Sequence, residues 1–183
     1  MNMLAAEAAA LLQAFDPDGD RRAVESAEQV RRLLRTAAAP FSREHYDPGH
    51  VTVSAVVLAP DGRSVLLVYH QRLERWLQPG GHIEPADGTF TAAARREVRE
   101  ETGLDVLLDA PRLVGLDVHA IPQADDEPPH LHHDFMFCFT AADAAIPGGD
   151  SRAEWCVVDR LREYAVDGPL LRGVARALRS MSD

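Results

Sequence analysis

Apolar residues recur at helical spacing from the start of the chain, at Met3, Leu4, Ala8, Leu11 and Leu12, which predicts a first helix. The run Asp16-Pro17-Asp18-Gly19-Asp20 breaks it. A second helix is predicted from about Arg21, with Val24, Val30, Leu33 and Leu34 on its apolar side, and Ala39-Pro40 ends it. The pattern then changes to strands. Val51 to Leu58 and Ser64 to Tyr69 flank a Pro60-Asp61-Gly62 turn and read as a hairpin. Further strands are predicted over Arg112 to Ile121, Leu131 to Thr140 and Glu154 to Val158, with a closing helix from Gly168 to Met181. The polar, proline-bearing loop from Pro122 to Pro129 reads as a mobile segment near a cleft mouth. Residues 1–45 thus form a helical extension and residues 46–183 a core domain. Covering a sheet edge, capping the cleft and forming a homodimer are the alternatives open to the extension, with plain structural packing favoured.

Between Phe90 and Thr102 one helix carries a different signal. With Glu97 at zero and about 100° per residue, Glu100 lies near about −60° and Glu101 near about +40°. Phe90, Ala93, Ala94 and Val98 share that side, whereas Arg95 and Arg99 fall on the opposite, wet side. Glu97 and Glu101 therefore continue the stripe that packs inward. Like charges at this spacing repel by roughly 3 kcal/mol per pair at an effective dielectric of about 20. One reading is a solvated acidic face laced to its own arginines. The geometry favours the other, carboxylates gathered around a hard divalent cation, magnesium or manganese.

Composition narrows the partners. The net charge of −10 disfavours a nucleic acid duplex, and no apolar run is long enough to span a membrane. The alanine-rich start lacks the basic residues of a secretory signal. The only cysteines, Cys138 and Cys156, read as buried thiols in a reducing compartment, so a cytoplasmic location is expected.

From Gly80 to Leu104 the chain reads GGHIEPADGTFTAAARREVREETGL. It resembles the Nudix hydrolases, whose box is glycine, five residues, glutamate, seven residues, then R-E-hydrophobic-x-E-E-x-G-hydrophobic. Arg96 to Leu104 fits the second half without a mismatch. Counted from Gly81, Asp87 stands where the pattern has glutamate, and eight residues instead of seven precede Arg96. The resemblance implies an α/β/α sandwich around a mixed sheet and hydrolysis of a diphosphate linkage in a nucleoside diphosphate derivative or nucleoside triphosphate. It implies that Glu97, Glu101 and the Gly80 carbonyl bind the metal, with Glu100 a further ligand or water-bridged partner, and that Arg96 holds the glutamates. Glu154 is the first candidate for general base, with a box glutamate second. The alternative is a non-catalytic Nudix-like metabolite sensor, which the retention of all three glutamates disfavours.

Histidines supply the remaining candidates. His70, Arg72 and His82 flank the glycines on the expected substrate side. In the strand that follows the loop, alternation puts His130 and His132 on one face with Asp134, with His133 opposite. These histidines read either as polar edge residues beside an acidic loop or as contacts to substrate phosphate or base, with His132 the candidate for the second role. A zinc-type site is the lesser reading, because the spacing matches no closed structural zinc pattern.

Overall fold

The computed structural model describes residues 3–107, 111–124 and 127–179. Its elements are α1 (Met3–Ala14), α2 (Arg21–Thr36), β1 (Gly49–Leu58), β2 (Ser64–His70), β3 (Arg75–Leu77), β4 (Gly80–His82), α3 (Phe90–Thr102), β5 (Arg112–Ile121), β6 (His130–Thr140), β7 (Arg152–Val157), a 3-10 turn (Val158–Tyr164) and α4 (Gly168–Arg179). The middle of the expected mobile loop, Asp125 and Asp126, and the expected helix end at Met181 lie outside the described residues.

The strands run in the order β3-β2-β1-β6-β5, with β4 added to β1 and β7 to β2. β1 and β6 are parallel in register from Gly49↔Leu131 to Leu58↔Thr140, whereas the other pairs are antiparallel. The sheet is therefore mixed. β1 is buried along its whole length, because alternate residues serve two cores. Val51, Val53, Ala55 and Val57 pack with Phe135, Phe137 and the stripe Phe90, Ala93, Ala94 and Val98 of α3. Val56 and Leu58 pack with Met136 and Leu170, Val174 and Ala177 of α4. Helices on both faces complete the α/β/α sandwich.

Two expectations need correction. Val24 is 48% exposed; the inward stripe of α2 is Ala23, Ser26, Ala27, Val30 and Leu33, and Val24 falls one residue off it. Arg95 is half-buried, with Nε shut away from water, so only Arg99 occupies the wet side. Strand ends also shift: β7 starts at Arg152, where its pairing with Tyr69 begins, and Val158 already belongs to the 3-10 turn.

The N-terminal helices are fastened to both layers. α2 lies against β5, the last strand in the order. From α4, Arg176 donates to the Pro17 carbonyl at 2.7 Å and Arg172 pairs with Asp20 at 2.8 Å. From α1, Glu7 accepts the Phe90 backbone N–H at 3.2 Å. That amide is among those a helix leaves unpaired at its start, so α1 caps the glutamate-bearing helix.

Candidate active site

α3 begins at Thr89, whose hydroxyl accepts from Ala92 N at 3.1 Å, and ends at Gly103 in the left-handed region, φ 73°. The segment before β7 caps its other end. Asp150 N and Ser151 N donate to the carbonyls of Glu100 and Glu101 at 2.9 and 3.0 Å. These contacts hold the helix rigidly under β4, and β4 is where its glutamates arrive.

Glu101 accepts the Gly80 N–H at 3.0 Å and lies 3.4 Å from the Ser151 hydroxyl. Glu97 sits directly against Gly81, where an added Cβ would come within 2.5 Å of its carboxylate. A side chain at Gly81 would have to displace that carboxylate. Glu97 and Glu101 are half-buried and Glu100 is exposed. Burial pushes the Glu97 carboxyl above its ordinary range and the Glu101 carboxyl up to about 7.

Arg96 joins the parts. Its Nε and Nη2 bond Asp87 at 2.9 and 3.1 Å, and Nη1 bonds Glu97 and Glu100, each at 2.9 Å. Nη2 also donates to the His82 carbonyl at 2.7 Å. Asp87, the residue that departs from the box pattern, is thus an ionic partner of the box arginine, and it accepts Glu84 N at 2.7 Å as well. The extra residue is taken up in this turn, which continues through Gly88 at φ 70°.

The other candidates lie elsewhere. Glu154 on β7 pairs with Arg152 at 3.6 Å and accepts a hydrogen bond from Tyr164. It points away from Ala153 and Trp155, which pack with the α3 core. His70 and Arg72 are exposed near the β2–β3 turn, and the His70 Nδ1 accepts Leu73 N at 3.2 Å. His82 and His132 join a different group. Their rings stand 5.3 Å apart, and each lies about 5 Å from His50. His130 completes it, at 4.9 Å from His50. Burial and neighbouring rings hold His82 down to about 4, with His132 lower still.

Sequence reasoning missed His50, Ser151 and the part played by Asp87. A signal for His50 was available, because His50, Thr52 and Ser54 alternate with Val51, Val53 and Ala55. A polar face on a central strand marks a site or a buried network. Here Asp134 on β6 accepts from Ser54 at 2.5 Å and from Thr52 at 3.1 Å.

A NUDIX-domain family model matches residues 48–175. The chain belongs to the NUDIX family and is a hydrolase of that family. A Bacillus subtilis (strain 168) protein provisionally named an 8-oxo-dGTP diphosphatase is 29% identical over 112 residues, 61% of this chain and 69% of that protein. A NUDIX-family hydrolase structure from Clostridium perfringens shares the fold. Its TM-score is 0.54 at 24% identity, over 74% of this chain and 97% of its own. A mutator MutT protein from Bacillus halodurans aligns with a TM-score of 0.47 and 26% identity, over 62% and 72% of the two chains. The matched residues exclude α1 and α2. No described helix is long and apolar enough to cross a membrane.

The raised Glu101 carboxyl has a thermodynamic consequence in metal-free protein. The folded state keeps that proton to about pH 7, whereas an unperturbed glutamate releases it near 4.5. Between those values the folded state binds the additional proton, so stability falls as pH rises through the window. The full penalty, at most about 3 kcal/mol, is in place above about pH 7. With chelator present, Glu101→Gln is expected to be only slightly more stable than the parent at pH 5 and clearly more stable at pH 8. Urea midpoints across that range measure the gap; one independent of pH contradicts the assignment.

Proposed function

We propose that the protein is a divalent-metal-dependent pyrophosphohydrolase that cleaves a diphosphate linkage in a nucleoside triphosphate or a related nucleoside diphosphate derivative. The observation that carries this reading is the meeting of Glu97 and Glu101 beside Gly80 and Gly81. Glu101 lies half-buried against a backbone amide and a hydroxyl with no cationic side chain bonded to it among the described residues. Such a carboxylate is costly unless a cation accompanies it. Oxygen donors on a site open at its outer edge fit magnesium or manganese. Glu97, Glu101 and the Gly80 carbonyl would hold the ion, with Glu100 at the exposed rim. When bound, it supplies charge neutralisation for the diphosphate oxygens and activation of water.

The chain's own residues then position the reaction. Arg96 fixes Glu97 and Glu100 and, through the His82 carbonyl, ties α3 to β4. Phosphoryl transfer depends mainly on such placement and on electrostatics. Glu154 points to the face of β7 turned away from Ala153, Trp155 and the α3 core, so a box glutamate is the better general base. The free, buried thiols of Cys138 and Cys156 fit a reducing compartment such as the cytoplasm. The name of the Bacillus subtilis relative supports a nucleoside triphosphate as substrate.

A released-phosphate screen over nucleoside di- and triphosphates, sugar nucleotides and dinucleoside polyphosphates tests the reading. It is run with magnesium or manganese, and with a pyrophosphatase or phosphatase coupled to it. Turnover that requires the added metal is expected, with a triphosphate among the best substrates. No turnover on any of them would favour the sensor.

A further inference from the structure

A second group of metal-ligating side chains stands across β4 from the carboxylates. We propose that His50, His130 and His132 form a binding site for one late first-row divalent cation of the zinc class. This site is separate from the glutamate site and does not rest on the proposed reaction.

The parallel register of β1 and β6 creates it. His50 pairs with His132, and His130 lies two residues earlier on the same face of β6. One ligand atom from each falls within 4.8 Å of the others. Around a tetrahedral ion with bonds of about 2.05 Å the donors stand about 3.4 Å apart, so from a span of 4.8 Å the three rings need to close by about 1.4 Å.

Two of the rings are already set as ligands. His50 Nδ1 lies 3.2 Å from the His45 carbonyl, and His130 Nδ1 lies 2.8 Å from the Pro128 carbonyl. A carbonyl only accepts, so each Nδ1 carries the hydrogen and each Nε2 presents a lone pair. Backbone carbonyls orient metal-bound histidines in this way. His50 is 1% exposed, and its Nε2 is buried with no hydrogen-bond partner among the described residues. Leaving such an atom bare costs free energy, and a cation removes that cost.

Crowding decides between a metal and an anion. His82 and His119 also approach His132, at 5.3 and 5.6 Å. Two imidazolium rings at about 5 Å repel by roughly 3 kcal/mol at an effective dielectric of about 20. That repulsion weighs against a cradle of several cationic rings for phosphate, whereas one metal ion uses ring nitrogens as lone-pair donors. An all-imidazole set selects zinc, cobalt, nickel or copper over magnesium and manganese. The fourth position falls to His82 or to water.

Cobalt titration of the chelator-treated full chain, in excess magnesium, tests the site. One equivalent is expected to give the intense visible absorption of four-coordinate cobalt, discharged by stoichiometric zinc. The Glu97→Gln/Glu101→Gln double variant should titrate like the parent. His50→Ala and His132→Ala should each weaken cobalt binding by about 100-fold or more, with folding followed by circular dichroism. If His50→Ala fails to fold, His132→Ala, at a partly exposed position, decides alone. A parent without the one-equivalent band overturns the site. So does a folded His132→Ala that binds as the parent does, or a band lost with the two glutamates.

Discussion

Glu97→Gln and Glu101→Gln are each expected to lower kcat by about 10³-fold, roughly 4 kcal/mol of transition-state stabilisation, while the fold stays intact. The amide keeps the size and most hydrogen bonds of the carboxylate and removes its charge. Glu101→Gln still accepts the Gly80 N–H, and Glu97→Gln still fills the space against Gly81. What disappears is the anionic density that would draw a cation to the outer edge of β4. Activity and stability should then move in opposite directions. Glu101→Gln in particular loses turnover yet melts higher than the parent without metal, since a half-buried charge with no cationic side chain bonded to it among the described residues has been deleted. Arg99→Gln, on the exposed side of α3, controls for nonspecific damage and should change neither quantity. Phosphate release at saturating magnesium and thermal melts with and without magnesium make the measurement. Parent-like turnover in either glutamate variant would remove the carboxylates from the mechanism.

The legible parts of this molecule are those whose physics is local. β5 runs from Arg112 to Ile121 as its pattern indicates, and the α3 stripe faces inward because apolar side chains three and four apart share a side. The glutamates were legible for the same reason, since helix geometry alone places them on that side. Distant partners were not legible. Thr52 and Asp134 meet across 82 residues of sequence, and nothing local states that β1 and β6 are parallel. Without that register, His50 is a lone histidine at a strand start, and its convergence with His130 and His132 stays hidden. Asp87 was obscured differently. Compared with a pattern it reads as a mismatch, whereas the turn at Glu84 to Gly88 brings its shorter side chain to the guanidinium. Val24 shows how fine the limit is, because one residue off the stripe turns an apolar side chain outward.

Asp87 and Arg96 should behave as one unit in a double-mutant cycle. The Arg96 side chain is 21% exposed and that of Asp87 5%, so the pair is largely withdrawn from water. Removing one partner strands the other, at a cost of roughly 3–5 kcal/mol. Arg96→Ala is thus expected to lower the melting temperature by about 10 °C. It should reduce kcat by about 100-fold, because Glu97 and Glu100 lose their common anchor and α3 loses its bond to the His82 carbonyl. Arg96→Lys restores charge but not the fork that reaches Asp87, Glu97, Glu100 and His82 together, so it should recover stability only in part. Asp87→Ala should destabilise comparably, and the double variant should cost far less than the two singles combined, by at least about 1.5 kcal/mol. Such coupling means that the acid entering α3 acts through Arg96 to hold the glutamates in position. Additive losses in denaturant midpoint would make Asp87 a bystander and leave the shortened side chain of the box unexplained.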